Sequence, residues 1–217
     1  MTLFKPSNRI RTILISLLMG FLCASCQKEI NGLIDGGGSV IPVKQKPKLG
    51  TVWTYHYYTY NTPGAGGGIH TSVILTLKAK SEDVLGGEKW LNIVDVATDT
   101  TVFLLNEKPG GLYQYTNNKS YLLCKDPAAV NDTYNTFNNG SAEDFTVKLV
   151  KDTLPTGIGD IPANYYEGFK LTYNVDQIWY NEYAWIVRKQ YFISKPGIGG
   201  GWVYYRFSTL FLDKIEY

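Results

Sequence analysis

The chain has 217 residues, a formal net charge of +2 and an aromatic content of 14%. Three of its bases and none of its acids lie in residues 1–25, so residues 26–217 carry 18 bases against 19 acids, a net charge of −1. This balance excludes the basic footprint of a nucleic-acid-binding protein. The length is sufficient for one domain with a buried core.

The N-terminus predicts export from the cytoplasm. Lys5, Arg9 and Arg11 precede an apolar stretch at residues 12–22. This stretch is shorter than the ~20 residues that a helix needs to cross a bilayer. A basic segment followed by a short apolar one is typical of a signal peptide, so we predict that residues 1–25 are one.

The apolar stretch ends in Cys-Ala-Ser-Cys at residues 23–26. These residues resemble the lipobox of bacterial lipoproteins, in which small residues precede a cysteine that receives a diacylglyceryl group and becomes the new N-terminus. The resemblance implies that Cys26 is the lipidated residue, although Cys23 stands where the family usually has leucine. The alternative is an ordinary signal peptide that is cleaved near Ala24 or Ser25.

Residues 26–48 predict a lipidated cysteine followed by a flexible tether. Three consecutive glycines at residues 36–38 and two prolines interrupt any apolar periodicity there. The lipoprotein resemblance implies delivery to the outer membrane, because Gln27 rather than aspartate follows Cys26. The folded domain is predicted to span residues 49–217.

From residue 49 onward the apolar residues recur with a period of two, which is typical of half-buried β-strands. Residues 52–60 and 69–80 alternate in this way, and we expect them to pair as a hairpin across the glycine-rich loop at 61–68. Shorter strands are predicted at residues 89–96, 101–106, 112–116, 120–125, 145–154, 165–173, 185–194, 201–208 and 210–216.

Turn residues interrupt this pattern in two places. Residues 126–144 predict a long loop with a short helical turn at 127–130, and residues 155–162 predict a turn-rich crossing. Residues 179–185 are compatible with either a strand or a helical turn. Ten or eleven strands without a long amphipathic helix predict an all-β fold, namely a single, largely antiparallel, strongly curved sheet or half-open barrel.

The order of these segments resembles that of uncharacterised lipoproteins of Gram-negative bacteria. The resemblance rests on the lipobox, the tether, Leu49-Gly50 followed by Trp53 and Tyr55, and a late Pro-Gly-Ile-Gly at residues 196–199 before an aromatic strand. Such proteins are loosely similar to half-barrel lipoprotein carriers and lipid-binding proteins. The resemblance implies a compartment and a shape, and it carries over no functional residue besides Cys26.

Signals of catalysis and metal binding are sparse. His56 and His70 lie on the two strands of the predicted hairpin and could approach one another, but two imidazoles make an incomplete zinc site and the spacing indicates no acidic partner. No nucleophile motif such as Gly-x-Ser-x-Gly occurs, and Cys124 is expected to be a small buried residue. The sequence therefore predicts no enzymatic activity, no catalytic residue, no metal and no cofactor.

The aromatic residues are the candidates for ligand binding. Trp53, Tyr55 and Tyr57 share one face of the first strand, and Trp202 and Tyr204 share one face of a late strand. They either pack as core or line a trough for an apolar or glycan ligand. We therefore expect a cell-envelope protein, attached to the membrane by its lipid anchor, that binds such a ligand. The alternative is a structural or interaction component of an outer-membrane complex.

Overall fold

The computed structural model describes residues 45–61, 68–138, 140–169, 175–196 and 202–217. All of them belong to the compact unit Ile34–Tyr217. They form the strands β1 (Val52–Tyr60), β2 (Ile69–Leu85), β3 (Glu88–Asp95), β4 (Thr100–Lys108), β5 (Gly110–Thr116), β6 (Lys119–Asp126), β7 (Thr133–Asn138), β8 (Ser141–Thr156), β9 (Gly159–Phe169), β10 (Val175–Asn181), β11 (Trp185–Pro196) and β12 (Trp202–Glu216). None of the described residues belongs to a helix that could cross a membrane.

The twelve strands form one antiparallel sheet, which confirms the predicted fold class. Strands that are consecutive in the chain pair with each other, except β6 and β7, which lie at the two ends of the strand order. β1 pairs with β12 as well as with β2, so that Trp53 lies opposite Ile215 and Tyr57 opposite Leu210. The sheet is therefore nearly closed into a barrel, with one seam between β6 and β7.

Two phenol hydroxyls, from β7 and β9, bond to β6 at the seam, which no backbone ladder closes in the described structure. The Tyr134 hydroxyl donates to the Leu123 carbonyl oxygen at 2.8 Å, and the Tyr166 hydroxyl donates to the Lys125 carbonyl oxygen at 2.6 Å. Lys125 also forms an ion pair with Asp132 at 2.7 Å. Burial raises the pKa of both phenols, which keeps them protonated as donors.

The predicted long loop at residues 126–144 is wrong, because β7 and the beginning of β8 lie within it. The predicted helical turn at 127–130 is also wrong, since this segment consists of a bend, two residues without regular structure and the start of a turn. Thr136 and Asn138 of β7 are only 0% and 3% exposed. Polar side chains at buried positions hide the alternation of apolar and polar residues from which a strand is predicted.

Two further segments differ from the prediction or resolve its ambiguity. The predicted crossing at residues 155–162 is a tight hairpin, because β8 runs to Thr156 and β9 begins at Gly159. Residues 202–216 form one strand where two were expected. In the ambiguous segment 179–185, β10 continues to Asn181, and a turn leads to β11 at Trp185.

The tip of the β8–β9 hairpin lies against β12. The backbone amide of Gly157 donates to the Leu212 carbonyl oxygen at 3.4 Å. A Cβ atom at Gly157 would lie 2.2 Å from the Asp213 carbonyl oxygen. A side chain at this position is therefore incompatible with the observed contact between the hairpin and β12.

The last residues of the predicted tether already contact the barrel. Pro47 is buried, and Lys46 forms ion pairs with Glu107 and Glu182. The Lys48 amide donates to the Thr51 hydroxyl oxygen at 3.0 Å. The predicted signal peptide, Cys26 and residues 27–44 lie outside the described residues.

Candidate ligand cavity

A cavity of about 550 Å³ lies inside the barrel, towards the end at which β1 ends and β12 begins. Tyr57 on β1 opens onto it, as do residues of β2, β4, β11 and β12. The lining residues are Tyr57, Leu75, Leu77, Val102, Phe103, Lys189, Tyr191, Phe207, Ser208 and Leu210. Most of these side chains are apolar or aromatic, and Lys189 is the charged group among them.

Below this cavity the barrel interior is densely packed around Trp53 and Tyr55. Their side chains are 2% and 3% exposed, and the space that remains between them and their neighbours is about 20 Å³, room for a single water at most. The Trp53 ring stacks on Trp185, with ring centroids 5.8 Å apart and planes at 24°. Of the residues predicted to line a trough, Trp53 and Tyr55 therefore form the packed floor.

Two hydrogen bonds join this floor across β12 to the start of β11 and the turn before it. The indole nitrogen of Trp53 donates to the Ala184 carbonyl oxygen at 3.0 Å, and the Tyr55 hydroxyl donates to the Ile186 carbonyl oxygen at 2.9 Å. Burial raises the pKa of the Tyr55 phenol, so it remains a donor. Each polar tip thus has a partner despite being inside the core.

Tyr204 does not face the cavity, which corrects the expectation that both aromatic sets point inward. Ser208 pairs with Tyr191, and both line the cavity. A β-bulge follows, because Phe192 pairs with Arg206, so Tyr204 lies opposite Ser194. Ser194 is three residues from Tyr191 and therefore on the other face of β11, which places Tyr204 on the outer face. The Trp202 backbone pairs with Pro196, and its side chain lies outside the described part.

Tyr57 is thus the residue of the predicted set whose described side chain lines the large cavity. The sequence reasoning missed the other wall residues because they come from strands distant in sequence. One local signal was present on β11, where Lys189 and Tyr191 alternate and therefore share a face. Both of these side chains line the cavity.

Polar groups lie on the side of the interior formed by β7, β8, β10 and β11. The Lys189 ammonium donates to the Asn138 side-chain oxygen at 3.0 Å. Asp176 on β10 alternates with buried Ile178, and Glu143 on β8 alternates with buried Phe145. These carboxyl groups are 0% and 2% exposed. The barrel interior therefore has an apolar side, formed by β1, β2 and β4, and a side with a lysine and two buried carboxyl groups.

Cys124 lies within the core and is a free thiol, as predicted. Burial is the main cause that raises its pKa, which the positive charge of Lys189 partly opposes. A thiol held protonated is a poor nucleophile.

His56 has an acidic partner that the sequence did not indicate. Its Nε2 atom lies 3.5 Å from Asp213 Oδ1, and its ring stacks near Tyr58 with centroids 6.1 Å apart. The β1–β2 register places His56 opposite Ile74, so it does not pair with His70. Among the described residues, no group of three His, Cys, Asp or Glu side chains could hold a metal ion.

Comparison of the chain with protein families, with curated proteins and with solved structures finds no match.

Proposed function

We propose that this protein is a lipid-anchored cell-envelope protein whose barrel binds a small apolar or amphipathic molecule. The observation that supports binding is the cavity of about 550 Å³ with its largely apolar wall. Its size is within the range of about 300–1,000 Å³ that is usual for small-molecule sites. No catalytic arrangement accompanies it among the described residues, so we propose a binding role instead of an enzymatic one.

An apolar ligand fits the cavity better than a glycan. Glycans stack on aromatic rings that present a face to solvent, whereas Trp53 is 2% exposed and Trp185 is 3% exposed. Leu75, Phe103 and Leu210 instead offer aliphatic and aromatic surface inside a recess. Burying apolar ligand surface there would contribute about 25 cal/mol per Å².

Binding can be tested with a fragment spanning residues 34–217, titrated with a fluorescent fatty acid. Tyr57→Ala removes part of the cavity wall and should weaken binding about tenfold, since ~1.4 kcal/mol of lost contact corresponds to that factor. Ser208→Phe places a larger side chain in the cavity and should also weaken binding. Tyr204→Ala is the matched control, because this tyrosine is 45% exposed on the outer face. Absence of saturable binding in the parent fragment would contradict the proposal.

The anchor is tested separately on the full chain. Growth with a labelled fatty acid should label the protein, and Cys26→Ser should remove both the label and the membrane association. Label that survives this substitution would exclude Cys26 as the acceptor. Fractionation of labelled cells should find the parent in the outer membrane.

A structural or interaction role is the second candidate. It is favoured by apolar side chains that remain exposed along β2, with Ile69 and Ile74 each 56% exposed. This role predicts a protein partner and no saturable acyl binding.

A further inference from the structure

The first half of β2 is an open sheet edge. β2 pairs with β1 from Ile69 to Lys78, but with β3 only from Leu77 onward. One further backbone bond, from the Val96 amide to the Thr76 carbonyl oxygen, extends the contact on the β3 side. Along residues 69–75, no strand of the described chain pairs with the edge opposite β1.

This edge lacks the residues that usually protect an edge strand from pairing with another chain. Natural edge strands carry lysine, proline or inward-pointing charges that prevent pairing with another chain. The segment Ile-His-Thr-Ser-Val-Ile-Leu at residues 69–75 contains no lysine, arginine, acid or proline. Ile69 and Ile74 are each 56% exposed, and Val73 is 45% exposed. By contrast, β6, at one end of the sheet, begins with Lys119 and ends with Asp126.

We propose that two copies of this chain pair through residues 69–75 of β2, in antiparallel orientation about a twofold axis at Ser72. The occupant of a strand edge must supply backbone donors and acceptors in an extended segment, and a second copy brings the same unpaired edge. A twofold axis makes the contact isologous and closed, so pairing stops at two copies.

The register about Ser72 is self-complementary. Ile69 lies opposite Leu75 of the second copy, His70 opposite Ile74, and Thr71 opposite Val73. The two residues of each pair are both odd-numbered or both even-numbered, so they lie on the same face of their strands. The inner face of one barrel therefore continues as the inner face of the other across the contact. None places like charges opposite one another, which would destabilise the pair.

The antiparallel arrangement is compatible with both copies sharing one membrane under the proposed anchoring. Antiparallel pairing points the two barrels in opposite directions. To reach the same membrane, the tether of one copy therefore has to span the length of a barrel. Residues 27–44 can extend to about 60 Å at ~3.3 Å per residue. The longest strand, β2, has 17 residues and is at most about 56 Å long.

The mass of the purified full chain in detergent tests the pairing, measured by density-matched sedimentation equilibrium. The parent should have twice the mass of one mature chain. Ser72→Lys places two like charges across the axis and should reduce the mass to that of one chain. Val96→Lys is the control, since Val96 is 51% exposed outside the proposed contact, and it should leave the dimer intact. A monomeric parent, or a Ser72→Lys variant that remains dimeric, would overturn the proposal.

Cross-linking tests the register independently of dimer strength. Ser72→Cys should form a disulfide between Cys at position 72 of both copies under mild oxidation, identified by mass spectrometry of the linked peptides. Thr98→Cys places a thiol at another exposed position and should form far less of the equivalent disulfide. Equal cross-linking at both positions would overturn the assignment of the axis to Ser72. Acyl binding by the proposed cavity is measured separately, so either proposal can fail without the other.

Discussion

The hydrogen bond between Tyr55 and Ile186 offers a direct test of how the barrel interior is held together. Tyr55→Phe removes one hydroxyl and keeps the ring that packs against the core. The bond is 2.9 Å long and joins β1 to β11, which are separated by β12 in the sheet. Tyr55 is 3% exposed and Ile186 is 4% exposed, so water does not readily replace the lost donor.

The loss of stability in Tyr55→Phe follows from this burial. A net hydrogen bond contributes about 0.5–1.5 kcal/mol, and leaving a buried acceptor without its donor costs about 1–3 kcal/mol. We therefore expect Tyr55→Phe to lower the free energy of unfolding by about 1–2 kcal/mol. For a domain of this size that corresponds to a decrease in Tm of about 2–8 °C.

Urea unfolding of the fragment spanning residues 34–217, followed by circular dichroism, measures the change. The dependence of the unfolding free energy on urea should be the same in parent and variant, because both expose the same surface. Tyr204→Phe is the matched control, since Tyr204 is 45% exposed, and it should change stability by less than about 0.5 kcal/mol. A Tyr55→Phe fragment as stable as this control would refute the reasoning that the bond holds β1 to β11.

Two further predictions concern the hairpin tip and the buried phenols. Gly157→Ala should destabilise the fragment by about 1–3 kcal/mol, because its Cβ would lie 2.2 Å from the Asp213 carbonyl oxygen, whereas Gly68→Ala, with no atom within 4 Å, should not. Equal urea midpoints for the two variants would contradict this. Burial raises the pKa of Tyr55, Tyr166 and Tyr180 above the ordinary value of 10.0. Above that pH the unfolded chain loses these protons while the folded chain retains them, so stability should fall by about 1.4 kcal/mol per pH unit for each phenol. Tyrosinate absorbance should therefore rise together with loss of β-structure, and ionisation of all tyrosines in a still folded barrel would refute the assignment.

Period-two alternation was sufficient to predict the fold class, because most strands have one face in the core. The hairpin of β1 and β2 was predicted for the same reason, and the structure pairs them antiparallel. The alternation failed at β7, where Thr136 and Asn138 occupy the buried positions. Local patterns also do not encode which distant strands meet, so the pairing of β1 with β12 was not predictable from them.

The sequence was sufficient to predict which candidate residues share a strand face, but not at which level of the barrel each one lies. Trp53, Tyr55 and Tyr57 do share a face, but they lie at successive levels of the barrel, and only the last reaches the cavity. Alternation cannot distinguish these levels, since it describes the faces of a strand and not the position along the barrel axis. Tyr204 was misplaced for a different reason, because the bulge next to Phe192 exchanges the two faces of β12.

The cavity itself follows from the number of strands. The diameter of a barrel grows roughly in proportion to strand number, and about eight strands enclose an interior that side chains can just fill. The present sheet has twelve strands, so its interior is wider than ordinary side chains can fill. At the packed end, Trp53 and Trp185 stack across the gap and leave about 20 Å³. At the other end, Ser208 of β12 is one of the lining residues, and about 550 Å³ remains. The empty space thus results from the width of the barrel, since large side chains such as Tyr57, Phe103 and Tyr191 line it without filling it. A larger side chain at Ser208, the smallest residue of this wall, should therefore reduce the volume that is open to a ligand.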